Sequence, residues 1–403
     1  MWAIAAALFF FQASDFSSAG IQALEEGKYE AAVQAFTKAI EADAKDYFAH
    51  FNLAMAYGFL RKDAEAIAEY RKTLELKPGL YEAELNAGIL LMRQKNPAGA
   101  LPLFENAAEQ KPKEFRPRYY LAEAQIQTGA PAEAQENYRL ALELDPKSAG
   151  AELGMAHALA RQGKLAEAAP HFRQAAQLDS NYRDGLLELA DLYEKDKQPA
   201  EAVAIYREFP ENAAAQGRMG GLLLETKQYA DAIPHLEEAH AKEPTQENRV
   251  ALAMAYVFDK QLEKALPLLE RAAAAEPSNY DLRMMYARAL RDRRQFTAAA
   301  TQFYEAAKLK PGEAKTWSEL GGMLYMMEDY PQSLAAFDRA RALGEDTPGN
   351  WFLRAIILDK LHQVKPALEA YQRFLSMSQG KNPDQEFQAR QRARILQREL
   401  EKR

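Results

Sequence analysis

Histidine is the residue type in this sequence best suited to metal binding or acid-base chemistry, because cysteine is absent. His235 and His240 lie close together in the stretch HLEEAH. A zinc-binding helix needs its two histidines four residues apart, whereas a step of five turns the second side chain by about 140° around the helix. His171 and His235 each follow a proline at the same place in a recurring pattern, which indicates a structural position. We therefore expect no metal site.

Other catalytic motifs are also missing from the sequence. It contains no Gly-rich phosphate loop and no GxSxG elbow. The doublets Gly220-Gly221 and Gly321-Gly322 recur at a position where small residues let two helices touch. We therefore expect no catalytic residues and no cofactor, and we interpret the chain as a protein that is not an enzyme.

The charged residues point to protein partners rather than to nucleic acid. Asp184, Glu188 and Asp191 are spaced for one helix face, which favours a basic partner segment; a solvated acidic surface is the alternative. The net charge is −7 and the isoelectric point is about 5.6. Non-specific nucleic-acid binding requires a basic face, so this balance argues against it.

A repeat of 34 residues must position these side chains. Within residues 280–347 the same pattern occurs twice, because a shift of 34 residues aligns Tyr286 with Leu320, Ala287 with Gly321, Leu290 with Leu324, Phe296 with Tyr330, Phe303 with Phe337 and Ala306 with Ala340. Such a period indicates a solenoid of helical hairpins, none of which can bury its apolar face alone. We expect Phe303 to pack over Ala287 and against Trp317 and Leu320 of the next repeat.

The pattern extends along almost the whole chain and predicts eleven repeats. Repeats one to six occupy residues 14–212, and repeats seven to eleven occupy residues 213–383. Repeat six, residues 183–212, is four residues short, and Pro210 falls where its second helix should continue. We expect that helix to end near Phe209 and the solenoid to bend there; a smooth array with a tighter loop is the alternative.

The residues of repeat ten resemble the tetratricopeptide repeat family. They place Trp317 at the first signature position, followed by Leu320-Gly321, Tyr330 and Phe337. The resemblance implies an all-α, right-handed superhelical α-solenoid of antiparallel helix pairs. It also implies a concave groove, lined by the first helix of each repeat, that binds partner proteins or peptides.

The groove-facing positions of repeats two to four hold aromatic, amide and basic residues, namely Phe48, Phe51, Asn52, Phe59, Asn86, Arg93 and Tyr119. Asn52 and Asn86 are 34 residues apart, at the position where the family commonly offers an amide to a peptide backbone. An aromatic wall with such amides would hold an extended segment; alternatively, these residues are merely common in that helix. Phe51 and Met55 replace the family's carboxylate clamp, so chaperone C-termini are disfavoured as ligands.

The N-terminal residues 1–13 form an apolar leader. Ten consecutive apolar residues run from Trp2 to Phe11, too few for an integral membrane span. They fit the core of a signal peptide, although no Lys or Arg precedes them. We expect an exported protein, periplasmic or in the cell envelope; the alternatives are a buried helix or membrane-surface association through the N-terminus, a misassigned start, and a cytoplasmic protein.

Residues 384–403 are predicted to form one basic helix that begins with Asp384 as its N-cap. An apolar stripe of Ala389, Ala393, Leu396 and Leu400 lies opposite Arg390, Arg394 and Arg398. We expect a capping helix that covers the last repeat. The alternative is a docking helix for an acidic partner or a lipid surface.

Together these features predict a non-catalytic protein-protein interaction scaffold, or adaptor, that binds partner peptides or helices in its concave groove. The alternative function is a regulatory or targeting subunit of a separate enzyme such as a glycosyltransferase.

Overall fold

The computed structural model describes residues 15–401, and this part of the chain is helical without a β-strand. The leader at residues 1–13 lies outside the described residues. The chain forms two compact units that divide between Ile205 and Tyr206, inside helix α12 (Pro199–Tyr206). The repeat boundary at residues 212 and 213 stays a sequence-based prediction.

In the first unit, helices α1 to α11 follow one another with short connections: α1 (15–25), α2 (Tyr29–Ala42), α3 (Tyr47–Phe59), α4 (Asp63–Leu76), α5 (Tyr81–Arg93), α6 (Pro97–Gln110), α7 (Phe115–Thr128), α8 (Pro131–Leu144), α9 (Ala149–Arg161), α10 (Leu165–Leu178) and α11 (Gly185–Lys195). A 3₁₀ turn, Ser180–Tyr182, precedes α11.

The second unit continues the series with eleven helices: α13 (Ala213–Glu225), α14 (Tyr229–Lys242), α15 (Gln246–Phe258), α16 (Leu262–Ala275), α17 (Tyr280–Asp292), α18 (Phe296–Leu309), α19 (Ala314–Met326), α20 (Tyr330–Ala342), α21 (Pro348–Lys360), α22 (Val364–Ser378) and α23 (Pro383–Glu401). Within each unit, consecutive helices pack in pairs and each pair packs on the next. The odd-numbered helix is the first helix of its repeat. This is the predicted all-α solenoid of helix pairs.

No described helix combines the length and the apolar character that crossing a bilayer would require.

Each turn between the two helices of a repeat contains one residue with left-handed backbone geometry: Gly27, Arg61, Lys95, Gly129, Gly163, Lys197, Lys227, Lys260, Arg294, Glu328 and His362. The step between successive members is 34 residues, except for 30 from Lys197 to Lys227 and 33 from Lys227 to Lys260. The eleven turns match the eleven predicted repeats one for one, and the shortest step belongs to repeat six.

Only three of these left-handed positions are glycine, although an L-residue with a side chain is strained there by roughly 1–2 kcal/mol. We expect Lys95→Gly to raise the free energy of unfolding by about 0.5–1 kcal/mol, because the relief of strain exceeds the added entropy of the unfolded chain. Arg71→Gly, at an exposed site in the middle of α4, should instead lower it by about 1 kcal/mol. Urea unfolding monitored by circular dichroism measures both, and equal losses would contradict the expectation.

The second helix of repeat six ends at Tyr206, three residues before the predicted end at Phe209. Proline disfavours the helical conformation in the residue before it, and its ring would clash with the carbonyl four residues earlier, which belongs to Tyr206. The helix therefore stops one turn before Pro210. The predicted bend at this repeat stays a prediction.

Large side chains of second helices pack against small residues of first helices. A Cβ at Gly20 would lie 2.6 Å from the ring of Phe36, and one at Gly88 would lie 2.5 Å from the ring of Phe104. Both rings are fully buried. The small residue is therefore what allows the two helices of a repeat to approach each other.

The predicted packing of Phe303 is confirmed. Its side chain is fully buried in a cluster with Ala287, Leu320 and the half-buried Trp317. One aromatic ring thus joins the two helices of repeat nine to the first helix of repeat ten.

Helix α23 covers the last repeat as a cap. It begins at Pro383, a residue suited to the first helical position, so Asp384 lies in the first turn rather than at the N-cap. Ala389 and Leu396 are buried against a cluster that contains Phe374 of α22, and Arg392 makes two hydrogen bonds of 2.7 Å to Asp359 of α21.

Candidate peptide-binding grooves

The first unit contains a groove of about 450 Å³ between the first helices of repeats two and three, which we name groove 1. Its lining residues are Met55, Gly58, Phe59, Arg61, Tyr70, Asn86, Ile89, Leu90, Arg93 and Arg116. Because Asn86, Ile89 and Arg93 are three or four residues apart along α5, they lie on one face of that helix. Groove 1 thus brings together three predicted site residues, Phe59, Asn86 and Arg93.

An exposed phenylalanine that stacks on a half-buried tyrosine stands at the rim of groove 1. Phe59 is the last residue of α3, and 55% of its surface is exposed. Its ring stacks on Tyr29 with 4.7 Å between the ring centroids and 13° between the planes. The stack holds a large apolar surface in a fixed orientation toward solvent.

The polar side of groove 1 is built around Asn86. Its Nδ2 donates a hydrogen bond of 3.3 Å to the hydroxyl oxygen of Tyr70. Burial raises the pKa of the Tyr70 hydroxyl to about 12. The Oδ1 of Asn86 accepts no hydrogen bond from the described residues and is available to a peptide N–H.

Groove 1 is lined by three arginines and by no Asp or Glu. Arg93 forms a two-pronged ion pair with Asp63, the first residue of α4. Arg61 and Arg116 are exposed, and neither forms an ion pair within residues 15–401. The groove therefore carries positive charge in a chain whose net charge is negative. Sequence reasoning missed both arginines: Arg61 lies in the turn after α3, outside the predicted face, whereas Arg116 lies in the first turn of α7 at the register position of Phe48.

Four predicted residues of repeats two to four do not line groove 1. Phe48 is exposed near the start of α3, and Phe51 packs edge-to-face on Tyr70 with the centroids 5.6 Å apart. Asn52 is buried and donates to the backbone oxygen of Phe48 at 2.8 Å, so it differs from Asn86 despite the matching register. Tyr119 is half-buried and stacks on Phe115.

The three predicted carboxylates of repeat six are exposed but are not all free. Glu188 accepts a hydrogen bond of 3.0 Å from Nε2 of His157, which lowers the pKa of the Glu188 carboxyl. Asp184 directly precedes α11. Asp191 lies within that helix and interacts with another group of the chain. The set therefore belongs partly to the packing between repeats five and six.

The second unit contains a groove of about 410 Å³ that occupies the same register, which we name groove 2. Seven of its lining residues are the repeat equivalents of groove 1 residues: Val257, Phe258, Met285, Arg288, Ala289, Asp292 and Lys315. Phe258 is exposed and stacks on Tyr229 at 4.9 Å, as Phe59 does on Tyr29. Carrying the groove 1 positions forward by whole repeats would have found this site.

The charges of the two grooves differ. Groove 2 is lined by the carboxylates Asp281, Asp292 and Glu313 as well as by two basic residues, and one of these, Arg288, is ion-paired to Glu319 at 3.1 Å. Asp292 stands at the register position of Arg93. The aromatic pair is therefore common to both grooves, whereas their charge is not.

A larger groove of about 690 Å³ lies beside the cap helix. Its central polar groups are already bonded to one another, because Asp359 accepts hydrogen bonds from both Arg392 and the Tyr371 hydroxyl. Its lining also contains the polar residues Lys360, His362, Gln388 and Gln391.

The two histidines that follow a proline in their repeats, His171 and His235, contact neighbouring side chains. Nδ1 of His171 lies 2.6 Å from a carboxylate oxygen of Glu152, and Nδ1 of His235 lies 2.8 Å from Oε1 of Gln216. Across the described range, no group of three or more His, Asp or Glu side chains is arranged to hold a metal ion.

The tandem helix pairs and the grooves along their first helices define a helical-repeat scaffold for protein interactions. Models of the tetratricopeptide repeat match residues 18–81, 91–153, 159–223 and 250–314, which together make up more than half of the sequence. The chain belongs to the tetratricopeptide repeat family, whose members are generally non-catalytic interaction modules.

Three solved structures illustrate the similarity. MamA MSR-1 is 25% identical over 42% of this chain and 97% of its own, with a TM-score of 0.39. MamA 41-end from Desulfovibrio magneticus RS-1 is 22% identical over 42% of this chain and 96% of its own, with a TM-score of 0.40. YrrB, described as a TPR protein with an unusual peptide-binding site, is 24% identical over 49% of this chain and 99% of its own, with a TM-score of 0.41. No curated protein matches the chain.

Proposed function

We propose that this chain is a non-catalytic scaffold that binds partner peptides or helices in groove 1. The observation that supports the proposal is the combination found there: an exposed, oriented aromatic surface at Phe59 next to an unused amide oxygen at Asn86. An apolar anchor provides affinity, and an amide that meets a peptide N–H provides orientation.

The test is selection of a displayed random peptide library on the full chain, followed by titration of the enriched peptides. We expect Phe59→Ala to weaken their binding about tenfold or more, as loss of an aromatic anchor does. Phe48→Ala is the matched control, because Phe48 is another exposed phenylalanine of α3 but lies outside groove 1. Circular dichroism checks that both variants stay folded. Failure to enrich any peptide, or equal binding by both variants, would contradict the proposal.

The regulatory-subunit alternative and the exported location rest on the sequence alone. A stoichiometric enzyme partner in co-purification would favour the first of these over a scaffold for short segments.

A further inference from the structure

The arginines of groove 1 identify the chemistry of its ligand. We propose that groove 1 selects acidic peptide segments, in which side-chain carboxylates flank one apolar residue. This inference rests on the proposed function, because it specifies the partner of the same groove.

The first part of the argument concerns which charges are available. Asp63 already neutralises Arg93 through both of its carboxylate oxygens. Arg61 and Arg116 belong to separate elements, the turn after α3 and the first turn of α7, and both line the groove without an ion pair in the described chain. Two guanidinium groups from separate elements beside an apolar floor match carboxylates that flank an apolar side chain.

The apolar floor determines the remainder of the ligand. Met55, Phe59 and Ile89 form this floor and line the same groove as the two free arginines. A groove of about 450 Å³ has room for one anchoring side chain with its neighbouring backbone, rather than for a long apolar stretch.

Groove 2 shows that the fold accepts carboxylates in a groove of this register. It retains an exposed phenylalanine stacked on a tyrosine in the same register, and Lys315 keeps the basic charge of Arg116, yet Asp292 replaces Arg93, and Asp281 and Glu313 add two more carboxylates. The helical repeat therefore explains the aromatic rim and the recurring basic residues, and what it leaves unexplained is the lack of any carboxylate in the lining of groove 1.

The experiment uses acidic and neutral synthetic peptides that share one apolar anchor, titrated against the full chain by fluorescence anisotropy. We expect the acidic peptide to bind at least about tenfold more tightly than the neutral peptide, and we expect its affinity to fall as salt is added. The double variant Arg61→Glu plus Arg116→Glu should lose that preference. Lys113→Glu, an exposed change three residues before Arg116 and outside the groove, should keep it.

Each outcome separates the two hypotheses. Equal binding of acidic and neutral peptides, still lost in Phe59→Ala, would overturn the acidic specificity and leave the proposed function standing. Equal losses in the arginine double variant and in Lys113→Glu would overturn it as well, because net charge rather than groove 1 would then attract the ligand. A peptide that binds only with a free C-terminus, and not when amidated, would overturn the assignment to side-chain carboxylates.

Discussion

Replacing Phe303 with alanine should lower the free energy of unfolding by about 3–5 kcal/mol. The ring is fully buried between the two helices of repeat nine and the first helix of repeat ten, so its removal leaves a cavity lined by Ala287 and Leu320. The repeats cannot close that space, because their helix backbones are held apart by the remaining core side chains. Urea unfolding followed by circular dichroism measures the loss.

Tyr304→Ala is the control for this change, because Tyr304 is the next residue of α18 and is exposed. It should change the free energy of unfolding by less than about 1 kcal/mol. Equal effects of the two substitutions would show that Phe303 does not join repeats nine and ten.

Removal of the cap helix should destabilise the second unit by about 3 kcal/mol or more. Truncation after residue 384 exposes the cluster around Phe374 and removes the two hydrogen bonds between Arg392 and Asp359. Exposing even one or two fully buried large apolar side chains costs about 1.5–3 kcal/mol each. Hydrogen exchange measured by mass spectrometry should show the largest loss of protection in α21 and α22.

A pair of neighbouring substitutions tests the same role without truncation. Leu396→Ala should cost about 2–5 kcal/mol, since this side chain is 1% exposed. Ile395→Ala changes the adjacent residue on the solvent side, which is 43% exposed, and should cost much less. If α23 were only a docking helix for an acidic partner or a lipid surface, truncation and both substitutions would leave stability nearly unchanged.

Much of the fold could be predicted because the same pattern of apolar and small residues occurs eleven times in the sequence. The 34-residue step located the helix pairs, and the shortened repeat six is reproduced by the spacing of its left-handed turns. The predicted end of α12 is three residues too late, because the ring of Pro210 would clash with the helical carbonyl of Tyr206 and so ends the helix one turn earlier.

The candidate site was less accessible to sequence reasoning. The repeat register assigns a face to each residue but not a rotamer, so Asn52 and Asn86 were treated alike although one bonds its own helix and the other lines groove 1. Arg61 was missed because it lies in a turn, outside the helix face that periodicity identifies, whereas Arg116 lies two repeats after Phe48 at the same register position and could have been found from it. The lining positions of groove 2 follow from those of groove 1 through the same register.

The short sequence distance between packing partners has a consequence for biosynthesis. Phe303 finds its contacts among residues that lie no more than about one repeat away, and the other buried side chains described for the hairpins do likewise. Chains dominated by such local contacts fold quickly, and translation delivers their segments in order. Each hairpin can therefore pack on its predecessor while the ribosome is still extending the chain. The hairpin of α21 and α22 can bury its apolar cluster only after α23 has emerged from the exit tunnel.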